Sequence, residues 1–215
     1  MADSKKPRRQ YRSNRRQEQA QETRSRILAA ALKLFSEYGY AGATIEAIAQ
    51  EAGVAPLTVY AAFGNKRSIL AALVGVSVGG DDQSIPLLGR PGPQAVLREK
   101  DPTLQIHLFA TDITDILERV APVFEIMRMA AKTEPEIAEL LANILGERLR
   151  NLGVFVQHLS ANVTLRDGLD VPRATEIVWT IASPEVYRLL TVDRDWPKER
   201  FVQWLGDSLA RLLLP

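Results

Sequence analysis

Seven basic residues stand within the first twenty: Lys5, Lys6, Arg8, Arg9, Arg12, Arg15 and Arg16. Only Asp3 and Glu18 oppose them, leaving +5. Side chains of this kind bind polyanions, because each guanidinium offers a charged fork of donors to phosphate oxygens. The bias extends along the chain. Residues 1–80 hold 12 basic and 6 acidic residues, net +6, and residues 81–215 hold 15 and 20, net −5. The near-neutral total of +1 is therefore the sum of two opposed halves, which suggests a polyanion-binding end and a separate remainder. A basic run taken alone is read equally well as a solubilising tail. It does not read as a secretory leader, since no apolar stretch of about 7–15 residues follows it.

A second constellation lies at residues 44–63, TIEAIAQEAGVAPLTVYAAF. Ile45, Ile48, Ala49 and Ala52 repeat on a helical period, Gly53 supplies a left-handed turn and Val54 plugs the corner. Val59 and Phe63, four residues apart, bury one face of a second short helix, which leaves Pro56, Leu57, Thr58, Tyr60 and Ala61 facing outward. Two short helices across a turn of about four residues have the spacing of a helix-turn-helix, whose second helix enters a DNA major groove. Other chemistries lack their residues. With no cysteine there is no thiolate nucleophile, disulfide or Cys-ligated zinc, and His107 and His158 are the only histidines. The carboxylates are scattered at solvent-face spacing, and no phosphate-binding loop or Ser-His-acid set is present. The expectation is of no enzyme, no cofactor and no metal.

The elements that position these residues are helical throughout, so the expected fold class is all-α. In QETRSRILAAALKLFSEYGY, Ile27, Leu28, Ala31, Leu32, Phe35 and Tyr38 follow a 3.6-residue period that Gly39 closes. Thr44 is a plausible N-cap for the next helix, with Glu46 in its first turn. A fourth helix begins near Lys66 and runs through SILAALVGVSV. The Gly- and Pro-rich residues 79–93 read as a linker. Beyond it, Ile106, Phe109, Ala110, Ile113, Ile116, Leu117 and Val120 mark a helix over 102–120, and Pro122 marks a break and a fresh start toward 132. Residues 134–160 read as the longest amphipathic helix. Helices follow at 171–182, over EVYRLL, and from Pro197 with Phe201, Leu205, Leu209 and Leu212 inward. The longest near-apolar stretch, 69–78, falls well short of the roughly 20 residues of a membrane span, so no membrane role and a cytoplasmic location are expected.

Over about residues 21–75 the sequence resembles the TetR family of bacterial transcriptional regulators. The resemblance rests on ILAAALKLFSEYGYAGATIEAIAQEAGVAPLTVYAAFGNKRSIL, with TVYAAFGNK its most specific part. The ending, SPEVYRLLTVDRDWPKERFVQWLGDSLARLLL, is also similar to the carboxyl end of some members. It implies a homodimer with a basic flexible arm at 1–20, a three-helix helix-turn-helix domain at 21–66, and a linking helix that leads into a ligand-binding and dimerisation bundle, 67–215. Carried over by position, it implies phosphate contacts for Thr44, Tyr60 and Lys66, and places Ala55, Pro56, Leu57 and Thr58 at base edges of a double-stranded operator. Two departures matter. Ala55 stands where members often have Ser or Thr, and Ala62 where they often have His or another polar group. The outward face is therefore nearly bare of donors, so Pro56, Leu57 and Ala61 are expected to read thymine methyls by apolar contact. That shifts weight to Arg8, Arg9, Arg12, Arg15 and Arg16, which an adjacent minor groove would accept.

In the second half the family pattern implies a cavity for a small apolar or aromatic effector. His107, Thr111, Phe124, Met127, Trp179 and Tyr187 are its candidate lining. Trp204, Leu205, Leu209 and Leu212, with the helix 171–182, are the candidate dimer interface. The expected function is a repressor released from its operator by that effector. The alternatives are a nonspecific architectural DNA-binding protein, or a ligand-carrier bundle without a DNA role.

Overall fold

The computed structural model describes the backbone from Pro7 to Pro215, and the side chains of Arg15 and of residues 18–215. Among these residues the chain is helical, without strands: α1 Pro7–Gly42, α2 Ile45–Glu51, α3 Pro56–Phe63, α4 Lys66–Gly79, α5 Pro91–Arg98, α6 Pro102–Ala130, α7 Pro135–Asn162, α8 Val171–Ile181, α9 Pro184–Thr191 and α10 Lys198–Leu213. A single turn of 3-10 helix, Leu87–Gly89, precedes α5. The chain forms two compact units, residues 1–73 and 74–215, with the boundary inside α4.

The first unit has a small core of Ile27, Leu28, Ala31, Phe35, Ile48, Ala49, Val59, Ile69 and Leu70, all buried. Gly39, expected as a helix stop, takes φ +71° and ψ 169° and kinks α1 there, although helical bonding resumes to Gly42. Tyr38 does not join the apolar stripe. It is 64% exposed, and Tyr40 takes the buried place against Phe35, at 5.4 Å between rings. Residues 7–20, expected as part of a flexible arm, are helical and continue α1 backward. Arg, Gln, Glu and Ala dominate this stretch, and all are good helix formers.

The second unit is built around α6. Ile106, Phe109, Ala110, Ile113, Ile116, Leu117, Val120, Val123, Phe124 and Met127 are all buried on it, and α5, α7, α9 and α10 pack against it. The Phe109 and Phe155 rings stack at 4.0 Å, joining α6 to α7. Pro122, expected to end a helix, lies inside α6 on its exposed face. Its missing N–H costs one helical hydrogen bond, and the burial of Val120, Ala121, Val123 and Phe124 around it holds the helix through. In consequence α1 and α6, not the helix over 134–160, are the longest. The predicted linker also contains structure, since Pro91 opens α5 at its first turn. Asp101, Asp170 and Ser183 cap α6, α8 and α9, their side-chain oxygens accepting from the amides of Leu104, Arg173 and Val186 at 2.8, 2.9 and 3.2 Å. Buried Gln105 donates to Val96 O at 3.0 Å and accepts from Asn162 Nδ2 at 3.1 Å, tying the ends of α5 and α7 to α6.

Candidate nucleic-acid interface

The pair α2–α3 is built from its turn outward. Thr44 stays extended before α2, and its Oγ1 accepts from Ala47 N at 3.1 Å, leaving the hydroxyl hydrogen available at an exposed helix N-terminus. Gly53, at φ +67°, reverses the chain, and Val54 N closes the turn on Ala49 O at 2.9 Å. α3 then starts at Pro56 with Ala55 as a cap that makes no side-chain hydrogen bond, as its methyl dictates. Val59 is fully buried, whereas Leu57 is 78% and Tyr60 46% exposed. Pro56, Ala61 and Ala62 are exposed and Thr58 half-buried. Gly64, at φ +76°, ends the helix. An exposed leucine at the start of a two-turn helix, with only a hydroxyl and a phenol beside it, makes an apolar outward face with few donors.

Two cations nearby are turned to the protein itself. Lys66 Nζ donates to Tyr40 O at 2.6 Å and Ala43 O at 3.1 Å, and lies 4.4 Å from the centre of the Tyr40 ring. Lys66, expected to meet a phosphate, here clamps the carboxyl end of α1, whose last carbonyls have no helical partner. Arg24 Nη1 donates to Ala62 O at 3.3 Å, and its guanidinium lies 4.3 Å over the Phe63 ring, so α1 grips the end of α3. Phe63, expected in the core, is half-buried beneath it. Sequence reasoning passed over Arg24, because nothing in the local pattern announces a cation that reaches 38 residues along the chain. Arg15 is exposed; the side chains of Arg8, Arg9, Arg12 and Arg16 lie outside the described residues.

Residues 27–73 match the family described as bacterial regulatory proteins, tetR family. The HTH-type transcriptional regulator UidR of Escherichia coli (strain K12) is 30% identical over 134 residues, which span 59% of this chain and 61% of UidR, less than two thirds of that relative. The similarity to that family thus lies in the segment that holds α2 and α3. Its fold is shared with NalD of Pseudomonas aeruginosa, the secondary repressor of the MexAB-OprM multidrug efflux pump, at a TM-score of 0.67 and 22% identity over 92% of this chain and 98% of NalD. The regulator FadR of Bacillus subtilis, solved in complex with stearoyl-CoA, gives 0.64 and 20% over 86% and 96%.

The six candidate effector residues do not converge. His107 and Met127 both lie on α6, 20 residues apart, which at 1.5 Å per residue is about 30 Å. His107 packs instead against α10, where its ring lies over Gly206 and leaves no room for a Cβ there. Thr111 is exposed and donates to His107 O at 3.0 Å, a bond along its own helix. Phe124 and Met127 are buried core residues. Tyr187 meets Phe201 edge-on at 5.0 Å, and burial pushes its phenol up from the usual value. Trp179 lies under the Arg148 guanidinium at 5.1 Å, and Arg148 Nη2 donates to the carbonyls of Trp179 and Ala182 at 2.6 and 2.9 Å. Burial lowers Arg148 to about 10.

The dimer candidates divide. Leu205 and Leu209 are completely buried in the single chain, on the α10 face that also carries Phe201, and α10 packs against α6. They are therefore core residues. Leu212 remains 42% exposed, and half-buried Trp204 rests edge-on against Trp196 at 6.1 Å. Among the described residues no helix is long and apolar enough to cross a membrane, and no three His, Asp or Glu side chains gather as metal ligands would.

Proposed function

We propose that the chain is a sequence-specific DNA-binding transcriptional regulator that acts as a dimer and responds to a small apolar or aromatic effector, most simply as a repressor released by it. The observation that carries this is the outward face of α3, where Leu57, Tyr60, Pro56 and Ala61 stand exposed beside buried Val59 inside the segment that matches the family. Thr44 and Tyr60 offer hydroxyls to phosphates, and the short α3 fits a major groove. A dimer places two such helices on half-sites one helical turn apart. The basic arm adds the long-range attraction, with Arg8, Arg9, Arg12, Arg15 and Arg16 on phosphates or in a minor groove. The repressor NalD and the fatty-acyl-CoA complex of FadR support ligand-controlled repression by likeness of fold.

The test is selection of a bound duplex from a random pool, followed by titration against a scrambled duplex at fixed salt. The selected duplex should bind on the order of 10³-fold tighter or better. Removing residues 1–16 should weaken both duplexes and lower the salt slope by several units, about one per lost phosphate contact. Equal affinity for both duplexes would identify a nonspecific architectural protein. An unchanged slope after truncation would return the arm to a solubilising tail.

A further inference from the structure

Four helices of the second unit bring charge to one place. Arg148 stands midway along α7, and its Nη2 donates to the carbonyls of Trp179 and Ala182 at the end of α8, at 2.6 and 2.9 Å. Arg128, near the end of α6, is ion-paired with Glu185 in the first turn of α9. Glu185 also attracts Arg148, and Arg128 repels it. Among the described residues two guanidiniums thus face one carboxylate, and the group keeps one positive charge in excess.

Capping α8 uses only part of Arg148. Its Nε and Nη1 meet no acceptor among the described residues, yet they are not sealed from solvent. The Trp179 ring lies under the guanidinium, 5.1 Å from its central carbon. Its Nε1 is buried and finds no acceptor among the described residues. A buried donor left unpaired is costly and rare, and so is a desolvated cation without its own counter-charge. Burial, the largest influence on Arg148, lowers it to about 10.

These unused donors sit side by side, on one ring and on the guanidinium stacked over it. They match the two oxygens of a carboxylate, which a guanidinium edge takes as a fork. The single excess charge matches a monoanion. Ile144 and Leu145 stand one turn before Arg148 on the same side of α7 and are only half-buried, an apolar wall for the rest of the molecule. We propose that Arg148 and Trp179 form a site for an organic monocarboxylate, an acid on a small apolar or aromatic body, with Arg148 Nε and Nη1 and Trp179 Nε1 as its donors. By holding Glu185, Arg128 leaves the Arg148 charge for that ligand. As an effector site this rests on the proposed reading of the chain as a ligand-responsive regulator, whereas binding of the acid can be measured without DNA.

The test titrates the full chain, isotope-labelled at its indole nitrogens, with naphthoate, octanoate, their neutral amides and inorganic phosphate. At least one of the two acids should raise the melting point. The same acid should move the indole N–H resonance of Trp179, assigned through Trp179→Phe, while those of Trp196 and Trp204 hold still. Its amide should bind about tenfold more weakly or worse, and Arg148→Gln should cost the acid as much, the loss of a charge-assisted bond. Trp179→Phe should cost about fivefold, the loss of a neutral one. Arg148→Lys, which keeps the charge without the fork, should recover part only. Should Arg148→Gln no longer melt cooperatively, Trp179→Phe and the amides decide. Equal binding of acid and amide would overturn the site as an anion site, and phosphate binding as tight as either acid would overturn its carboxylate class. A Trp179 resonance that neither acid moves would leave Arg148 a cap of α8 and overturn the proposal. One that moves with protein concentration instead would give the place to a carboxylate of a second copy and overturn it too. Bound acid that fails to release a selected duplex would keep the site and overturn its effector role. If the wild type selects no duplex, the proposed function fails, and the titration still decides whether the site exists.

Discussion

The exposed face of α3 and the interior of α6 use apolar side chains to opposite ends. On α3, Leu57 is 78% exposed and Val59, two residues on, is fully buried, so the helix has one face for the core and one with nothing covering it. On α6, Phe124 and Met127 are both buried, and the helix meets neighbours on nearly every side. A short helix at the surface has room to leave a face free for a partner. A long helix at the centre of a bundle spends its side chains on packing. The described cations follow the same division: Lys66 and Arg24 hold α1 to the ends of its neighbours, whereas Arg15 is exposed.

Replacing Lys66 probes that division hardest. Lys66→Gln removes a charged donor from two carbonyls and the Tyr40 ring, and urea unfolding should register a loss of about 1.5–3 kcal/mol. The salt slope of DNA binding should not change, because no phosphate contact is lost. A slope lower by about one would return Lys66 to the phosphates.

A smaller effect is expected at Asp112 of α6. Its carboxyl is pushed up to about 6 by burial first and by the nearby Asp115 second. Its carboxylate lies against Gly92 of α5, in the space a Cβ there would take. The folded chain then holds this proton to higher pH than the unfolded chain, whose ordinary value is 3.8. Its ionisation therefore costs stability as pH rises from 3.8 to about 6. Asp112→Asn should match the wild type in acid and exceed it by about 1 kcal/mol at neutral pH, a figure discounted for the partly exposed carboxyl. Parallel stability curves across that range would show a solvated carboxylate.

Much of the first unit was legible because its signals are local. Gly53 takes the left-handed turn its position implies, and Val59 and Leu57 fall on the faces their spacing assigns. Tyr38 was misplaced because the stripe was extended one turn too far, into a helix that kinks at Gly39. In the second unit an apolar stripe shows that a face is buried but not against what. Leu205 and Leu209 look the same whether α6 or a second copy covers them, and only the three-dimensional packing decides for α6. Pro122 was read as a break because local chemistry disfavours it, and the surrounding burial overrides that preference. Arg24 was invisible for a further reason: its partner, Ala62 O, is a backbone carbonyl, which carries no sequence signature.

The central claim is that the bare apolar face of α3 reads DNA, and a cycle across the interface tests it most directly. The selected duplex is compared with one in which uracil replaces each thymine, for the wild type and for Leu57→Ala, at fixed salt. Loss of the thymine methyls should weaken the wild type about fivefold or more and leave Leu57→Ala nearly indifferent, since the contact is already gone. Equal losses in both proteins would contradict the account and place recognition elsewhere than on Leu57.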